Sequence, residues 1–563
     1  MAREVIQNNP SLNKILQCIN DKKSFIVEAG AGSGKTRSLI DTLQYILERD
    51  SEYLEKHGKK VVCITYTNVA KDEIISRINN NTLVLVFTIH EFLWEIIRRY
   101  QEELKKAVTE YHLEESNKKL KQPIDDLESK LTNTQIIYTE YGKNYEKGKI
   151  SHNEVIALSH KIFTSHSKKI SRIVSNRFPY IFVDEYQDTQ KEVKEILLEH
   201  LLKENIVLGF FGDSMQKIYP TGICRIENYQ QYNLELITKH ENYRCSKQVI
   251  NLLNNIRDDI EQVPTGMNLE GKISFFHCNN SLDDEDNLQK VKHFLEKNYQ
   301  WEKYKVLMLT HKGISKKLGY DNLLTLYSNP KKISFGRDKL LKRDEKFSNF
   351  LMNKIERLIF FYKNHQYGEF LRLLAKEDFR ITKHSDKVNL QKQISDLEEL
   401  RKTKTIGEVM DYVFNKGLLK MPSKIKDFKD RITQENTADE NIVKDKNFYD
   451  SLMQIKYDEI IKIDEYIEEQ TPFSTKHGVK GAEYDNVLVV IDDSSWNQYK
   501  FNDVFAHNTS NQQRYDRTKN LLYVCCSRAK NHLALLSLSQ MDNTSMNALN
   551  SLFGNGIYDV KSL

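Results

Sequence analysis

No Cys-x-x-Cys pair occurs in the 563 residues, and the seven cysteines, at 18, 63, 224, 245, 278, 525 and 526, are odd in number and scattered. That spacing argues against a disulfide framework or a structural zinc site and for reduced thiols. No uninterrupted apolar run approaches the roughly 20 residues that span a bilayer, and the opening "MAREVIQNNP" lacks the apolar centre of a signal peptide. A soluble, cytoplasmic chain with no membrane partner is therefore expected. An excess of one charge is missing too: 84 basic against 79 acidic side chains leave a formal +5, so a nucleic-acid partner would have to be met by a local patch. There is no internal repeat and no long low-complexity linker, and the sharpest acidic cluster, Asn279 to Asn287, reads as a solvated loop.

What the chain does hold is apolar content, 39% of its length, enough for several cores. Strand-like runs alternate with amphipathic stretches over the first 90 residues ("SFIVEA", "TRSLIDTLQYIL", "VVCITY", "AKDEIISRI"), the order of a parallel sheet with crossover helices. The text then turns charged and helical, with no strand-like run, before "YIFVDE", "IVLGFFGD" and "LELITKH" complete a first α/β domain. A second α/β pattern begins at "KISFFH" and "YKVLMLT", gives way to a Lys-, Asp- and Glu-rich helical region, and resumes at "NVLVVID" and "HLALL". The expected layout is a first domain in two parts, 1–97 and 175–243, around a helical insertion at 98–174. A second domain, 244–310 and 466–563, surrounds a helical insertion at 311–465.

The segment "FIVEAGAGSGKTRSLI" joins a strand, a Gly-rich turn and a helix. Gly30, Gly32 and Gly34 permit close backbone approach, so amide groups and the helix N-terminus can face phosphates. Lys35 would reach the β and γ phosphates, and the Thr36 hydroxyl would ligate Mg²⁺. The candidate ATP site thus runs through Gly30, Ala31, Gly32, Ser33, Gly34, Lys35, Thr36 and Arg37, although the strict pattern asks for Gly where the chain has Ala29. Beside a triphosphate, the acids ending "YIFVDEYQDTQ" acquire a role: Asp184 would hold the metal and Glu185 would orient and deprotonate the attacking water. Burying unpaired carboxylates at a strand end is otherwise costly.

With these residues the chain resembles a superfamily 1 helicase of the UvrD/Rep/PcrA type, whose second motif reads DExQD as at Asp184 to Asp188. "CITYTNVAKDEIISRI" is similar to motif Ia, "FTIHEF" to Ib, "FFGDSMQKIY" to III, "ENYRCS" to IV, "STKHGVKGAEYDNV" to V and "LLYVCCSRAKNHL" to VI, in the family's order. The resemblance implies two RecA-like, parallel-sheet P-loop motor domains, each with a mainly helical insertion. It implies that Gln216 senses the γ phosphate, that Arg244 and Arg528 act as paired arginine fingers, that Glu483 contacts the ribose and that Gln17 reads the adenine, with Gln7 as a rival. It also implies a DNA track through Thr65, Tyr66, Thr67, Asn68, His90, His477 and Lys480, using hydroxyls, amides and π-faces in a sequence-tolerant way.

Several positions depart from the family pattern. Val69 stands where motif Ia commonly carries Lys, "IYPTGI" replaces an aromatic-Arg-Gly element so that either Tyr219 partly substitutes for the stacking ring or strand separation is weak, and Lys519-Asn520 keeps one charge of a basic pair. The expected activity is ATP-dependent 3′ to 5′ translocation on single-stranded DNA with unwinding of tailed duplex. The alternative is a DNA-sensing ATPase switch that regulates a partner nuclease of OLD/TOPRIM type, because compact UvrD-like proteins accompany such nucleases in anti-phage systems such as Gabija. A helicase fused to a nuclease is disfavoured by the short stretch after Arg528.

Overall fold

The computed structural model describes residues 9–118, 123–139, 143–217, 222–223, 225–278, 284–308, 311–329, 331–333, 336–376, 381–433, 439–468, 473–475, 482–493 and 499–563. The chain divides into two compact units, one of residues 1–299, 482–487 and 492–563 and one of residues 300–481 and 488–491.

In the first unit, α1 (Pro10–Asn20) starts where the Asn9 side chain accepts from the Leu12 amide and Pro10 occupies the first turn, where a missing N–H costs nothing. Then come β1 (Phe25–Ala29), α2 (Lys35–Lys56), β2 (Val61–Thr65), α3 (Asn68–Arg77), β3 (Val84–Thr88) and α4 (Ile89–Ile97). The last of these is fixed by a capping box between Thr88 and Glu91. An insertion follows: α5 (Gln101–Lys118), α6 (Leu127–Leu131), β4 (Ile137–Tyr138), β5 (Lys149–Ile150) and α7 (His152–Arg177), which leaves helical geometry at His166. After it the chain returns through β6 (Tyr180–Asp184), α8 (Lys191–Glu195), β7 (Val207–Gly212) and β8 (Glu235–Lys239).

These strands form one parallel sheet in the order β3-β2-β6-β7-β1-β8. Every residue of β1, β2, β6 and β7 is buried, because helices cover both faces. That is why these strands read as unbroken apolar runs instead of alternating ones. One face packs Ile26, Ile64 and Val183 against Phe92 and Phe178; the other packs Val27, Cys63, Phe182 and Phe211 against Leu39, Leu43 and Ile46.

The unit continues with β9 (Glu241–Asn242), α9 (Lys247–Ile256), β10 (Val263–Pro264), β11 (Lys272–His277) and α10 (Asp284–Tyr299). In the second unit, β12 (Lys305–Met308) pairs in parallel with β13 (Phe473–Thr475), and helices occupy the stretch between, from His311–Leu318 to Asp458–Ile467. Its core includes Phe347, Leu358, Ile394 and Tyr457, with a buried two-pronged ion pair between Glu356 and Arg401. The strand β14 (Tyr484–Ile491) has residues 484–487 in the first unit and 488–491 in the second. The first unit then closes with α11 (Gln512–Cys526), β15 (Ala529–Ser537), α12 (Asn543–Phe553) and β16 (Ile557–Asp559); β11 lies between β15 and β16, parallel to both.

The architecture is α/β with parallel ladders. The structure departs from the sequence expectation in the first insertion, read as lacking strands: it holds the β4–β5 ladder, two residues to a strand and too short to leave a periodic signal. It also adds β3, an edge strand whose burial is only partial.

Candidate functional site

The turn between β1 and α2 depends on glycine. Gly32 and Gly34 both sit at φ +75°, in the left-handed region. A Cβ on Gly30 would lie 2.1 Å from Gln262 Nε2, and one on Gly32 2.7 Å from the Arg244 Cβ. The turn is also tied from outside. The Ala31 amide donates to the Tyr523 hydroxyl at 2.9 Å, while its carbonyl accepts from Asn242 Nδ2 at 3.0 Å and Gln262 Nε2 at 2.9 Å. The Ser33 hydroxyl is buried without a partner among the described residues, and Lys35 and Thr36, half-buried, open α2. A glycine cradle at a 22-residue helix's N-terminus, with an orphaned hydroxyl inside it, fits a phosphate chain.

Asp184 ends β6 buried. Glu185 follows at φ 52°, a conformation uncommon outside glycine, and its Oε2 accepts from Gln187 Nε2 at 2.6 Å. Thr36 and Asp184 are two hard oxygen donors, the small protein contribution that suits Mg²⁺, which keeps waters and phosphate oxygens for the rest.

Facing these groups is the end of α11. Arg528 is buried; its Nη2 donates to Gln216 Oε1 at 3.0 Å, its Nε to the Val524 carbonyl at 3.1 Å and its Nη1 to the Ala482 carbonyl at 3.4 Å. Burial, then the neighbouring Arg244, pushes the guanidinium down to about 10, against the pull of Glu185, so it stays charged at neutral pH. Gln216 Nε2 in turn donates to Asp213 Oδ2 at 2.8 Å. The same Asp213 oxygen accepts from the Tyr523 hydroxyl at 3.3 Å, and Tyr523 accepts from Arg257 Nη1 at 2.7 Å. An unbroken chain of hydrogen bonds therefore runs from Ala31 through Tyr523, Asp213 and Gln216 to Arg528. Arg244 pairs with Glu483 at 2.6 Å.

Tyr523, Asp213, Arg257, Asn242 and Gln262 were not singled out by the sequence, nor was Glu28. Buried in β1, Glu28 accepts from the Ser214 amide at 2.8 Å and from the Tyr186 hydroxyl; burial raises its pKa, opposed by Tyr186 and helped by Asp213. Tyr243 is another addition. Its amide donates to the Gly32 carbonyl at 2.9 Å, its ring is 56% exposed, and a Cβ on Gly34 would stand 3.8 Å from that ring and 4.0 Å from Arg37 Cβ. The aromatic in "NYRC" was the available signal. Gln17 is exposed on α1, which packs against α2 and β8, and among the described residues no side-chain hydrogen bond holds it.

Of the strand-contact candidates, Thr65 is buried at the end of β2, so its side chain faces inward. Tyr66 is half-buried, Thr67 and Asn68 are exposed, and Thr67 caps α3 through Ala70. His90 is half-buried on α4. Tyr219, His477, Lys480 and the rival Gln7 lie outside the described residues, as does most of "IYPTGI".

The profile of the UvrD/REP helicase N-terminal domain matches residues 8–138 and 115–236. Residues 8–236 therefore resemble the N-terminal part of a UvrD-type helicase. The chain is similar to the Gabija protein GajB of Bacillus cereus (strain HuB5-5), 26% identical over 95% of this chain and 96% of that one. It is also similar to the ATP-dependent DNA helicase PcrA of Staphylococcus epidermidis, 26% identical over 54% of this chain and 49% of PcrA, and to that of Staphylococcus aureus, 27% over 48% and 45%. The chain thus spans about half of the PcrA relatives. It is an ATP-hydrolysing enzyme, and its parallel-sheet lobes are of the RecA-like kind. No described helix is long and apolar enough to cross a membrane.

Proposed function

We propose that this UvrD-type enzyme is a motor that translocates 3′ to 5′ along single-stranded DNA and opens tailed duplex, hydrolysing ATP with Mg²⁺ where the Gly-rich turn meets α11. The observation that carries this reading is the hydrogen-bonded chain from Ala31 to Arg528, because it couples the phosphate cradle to the groups that would stabilise transferring charge. Gly30 to Thr36 would hold the phosphates, and Thr36 and Asp184 the metal. Bound Mg²⁺ would supply neutralisation of phosphate charge. Glu185 would take the proton of the attacking water, and Gln216 would sense the γ phosphate. Arg528 and Arg244 would stabilise the developing charge, an effect worth ~10³ to 10⁵ in rate for an arginine so placed. The exposed Tyr243 ring beside Arg37 offers a face for the adenine, with Gln17 a further candidate and Glu483 available to the ribose. Thr67, Asn68 and His90, joined by Tyr66, Tyr219, His477 and Lys480 and by the Thr65 backbone, would meet the strand.

ATP turnover measured with and without oligothymidylate, beside an unwinding assay on a 3′-tailed duplex, tests the proposal. Strand-stimulated turnover with opening is expected; equal turnover in both conditions would remove the coupling. A second reading is favoured by one observation: the match to GajB runs over nearly both whole chains, whereas that to PcrA covers about half. In that reading the ATPase is an antiviral-defence component that senses DNA and regulates a partner nuclease. Turnover stimulated by DNA with no duplex opened would favour it.

A further inference from the structure

His90 begins α4 directly after β3, and β3 pairs with β2 so that Thr88 stands opposite Thr65. Its ring is stacked on that of His152, the first residue of α7, with centroids 4.2 Å apart and planes 22° from parallel. His152 is exposed. The Tyr138 hydroxyl lies 2.5 Å from His152 Nδ1, and the Tyr138 ring stands 5.4 Å from His152 and 6.0 Å from Trp94, one turn along α4 from His90. Four rings, two from the sheet domain and two from the insertion, thus form a continuous strip that is only partly covered. Burial, then the adjacent His152, pushes His90 down to about 4, so that ring is neutral at physiological pH.

Core packing would explain such rings if they were buried, as Phe25, Phe182 and Phe211 are in the same unit. It does not account for an exposed His152 at the outer end. The charge pattern points the same way. Lys105, Lys130, Lys143 and Lys161 of the insertion are ion-paired with Glu102, Glu146, Glu154 and Glu114. Lys149, exposed on β5 in register with Ile137 beside Tyr138, has no ion pair among the described residues, as Lys106 and Lys147 have none, and of these it is the one on the strand beside Tyr138.

We infer that His152 and Tyr138 form a base-stacking site for single-stranded DNA, which carries the strand path from Thr67, Asn68 and His90 onto the insertion, with Lys149 meeting a backbone phosphate. This rests on the DNA-motor reading above. Such a site is indifferent to base identity, because every base offers a π-face.

The test compares a fluorescently labelled oligothymidylate with an abasic strand of equal length. The wild-type protein should prefer the oligothymidylate. His152→Ala and Tyr138→Ala should each weaken oligothymidylate binding about 5- to 150-fold, the ~1–3 kcal/mol of one stacked base, and leave abasic binding unchanged. Tyr138→Phe, which keeps the ring, should bind like wild type, and His152→Trp, with a larger face at an exposed position, should bind more tightly. Lys149→Ala should keep the base preference and lower the salt slope by about one phosphate contact. A wild-type protein that binds both strands equally, or a His152→Ala protein with its base preference intact, would overturn the site while leaving the motor reading standing. A wild-type protein that binds neither strand would overturn the motor reading itself.

Discussion

Glu185 holds its place at an energetic cost. At φ 52° it occupies a conformation that costs a non-glycine residue roughly 1–2 kcal/mol, and strain of this kind gathers where a side chain must be aimed. Two substitutions separate geometry from chemistry. Glu185→Gln should bind nucleotide normally and lose hydrolysis by ~10² to 10⁴, the usual worth of a general base; normal turnover would remove it from that role. Glu185→Gly should be equally inactive yet melt at a higher temperature than wild type, since glycine accepts the left-handed conformation freely. For Arg528→Ala a fall in turnover of ~10³ or more is expected, with single-strand affinity retained. Arg528→Lys should not rescue, because the guanidinium fork reaches Gln216, Val524 and Ala482 at once. His90 gives a pH signature. Its folded pKa of about 4 lies below the ordinary 6.5, so the unfolded chain binds more protons between those values, and stability is lost as pH falls through that window, by up to about 1.4 kcal/mol per unit. Melting curves of wild type and His90→Gln at pH 7.5 and 5 should converge on a smaller acid loss in the variant.

The helix α11 carries Tyr523 in its last turn and delivers Arg528 just beyond its end, so one element touches both the Gly-rich turn and Gln216. Tyr523→Phe keeps the buried ring but removes the oxygen that accepts from the Ala31 amide and from Arg257 Nη1, while Arg257 keeps Asp259 and Asp213. Urea unfolding should register a loss of ~1–3 kcal/mol or somewhat more, as one partner is charged. The strands of the first sheet other than β3 were legible from sequence because burial on both faces writes continuous apolar runs, and the Gly-rich turn because glycine spacing is local. The tie from Ala31 to Tyr523 was not legible, since 492 positions separate its ends, and the Arg257 to Tyr523 contact spans 266. A single chain read without relatives carries no signal at such separations. Asn242 and Gln262 escaped for the same reason, while Tyr243, beside Arg244, was passed over although its ring was in plain view.

Across the whole molecule, the six cysteines among the described residues are all buried. Cys245 lies with its Sγ 3.9 Å from the Ser527 carbonyl, and Cys525 and Cys526 close the helix that holds Tyr523. Burial pushes the Cys245 thiol up to about 11, so almost none is thiolate at neutral pH. An alkylating reagent can therefore reach Cys245, Cys525 and Cys526 only when the packing around them opens, as it would were α11 to swing away from the Gly-rich turn. The rate of thiol labelling then becomes a clock for cleft opening. A non-hydrolysable nucleotide should slow it and a denaturant should release it; labelling that is fast and indifferent to nucleotide would mean that the two elements part freely. An adduct, once formed, would act as a wedge that keeps the cleft from closing, so chemical wear would accumulate in molecules whose cleft stands open, and those held closed by nucleotide would be spared.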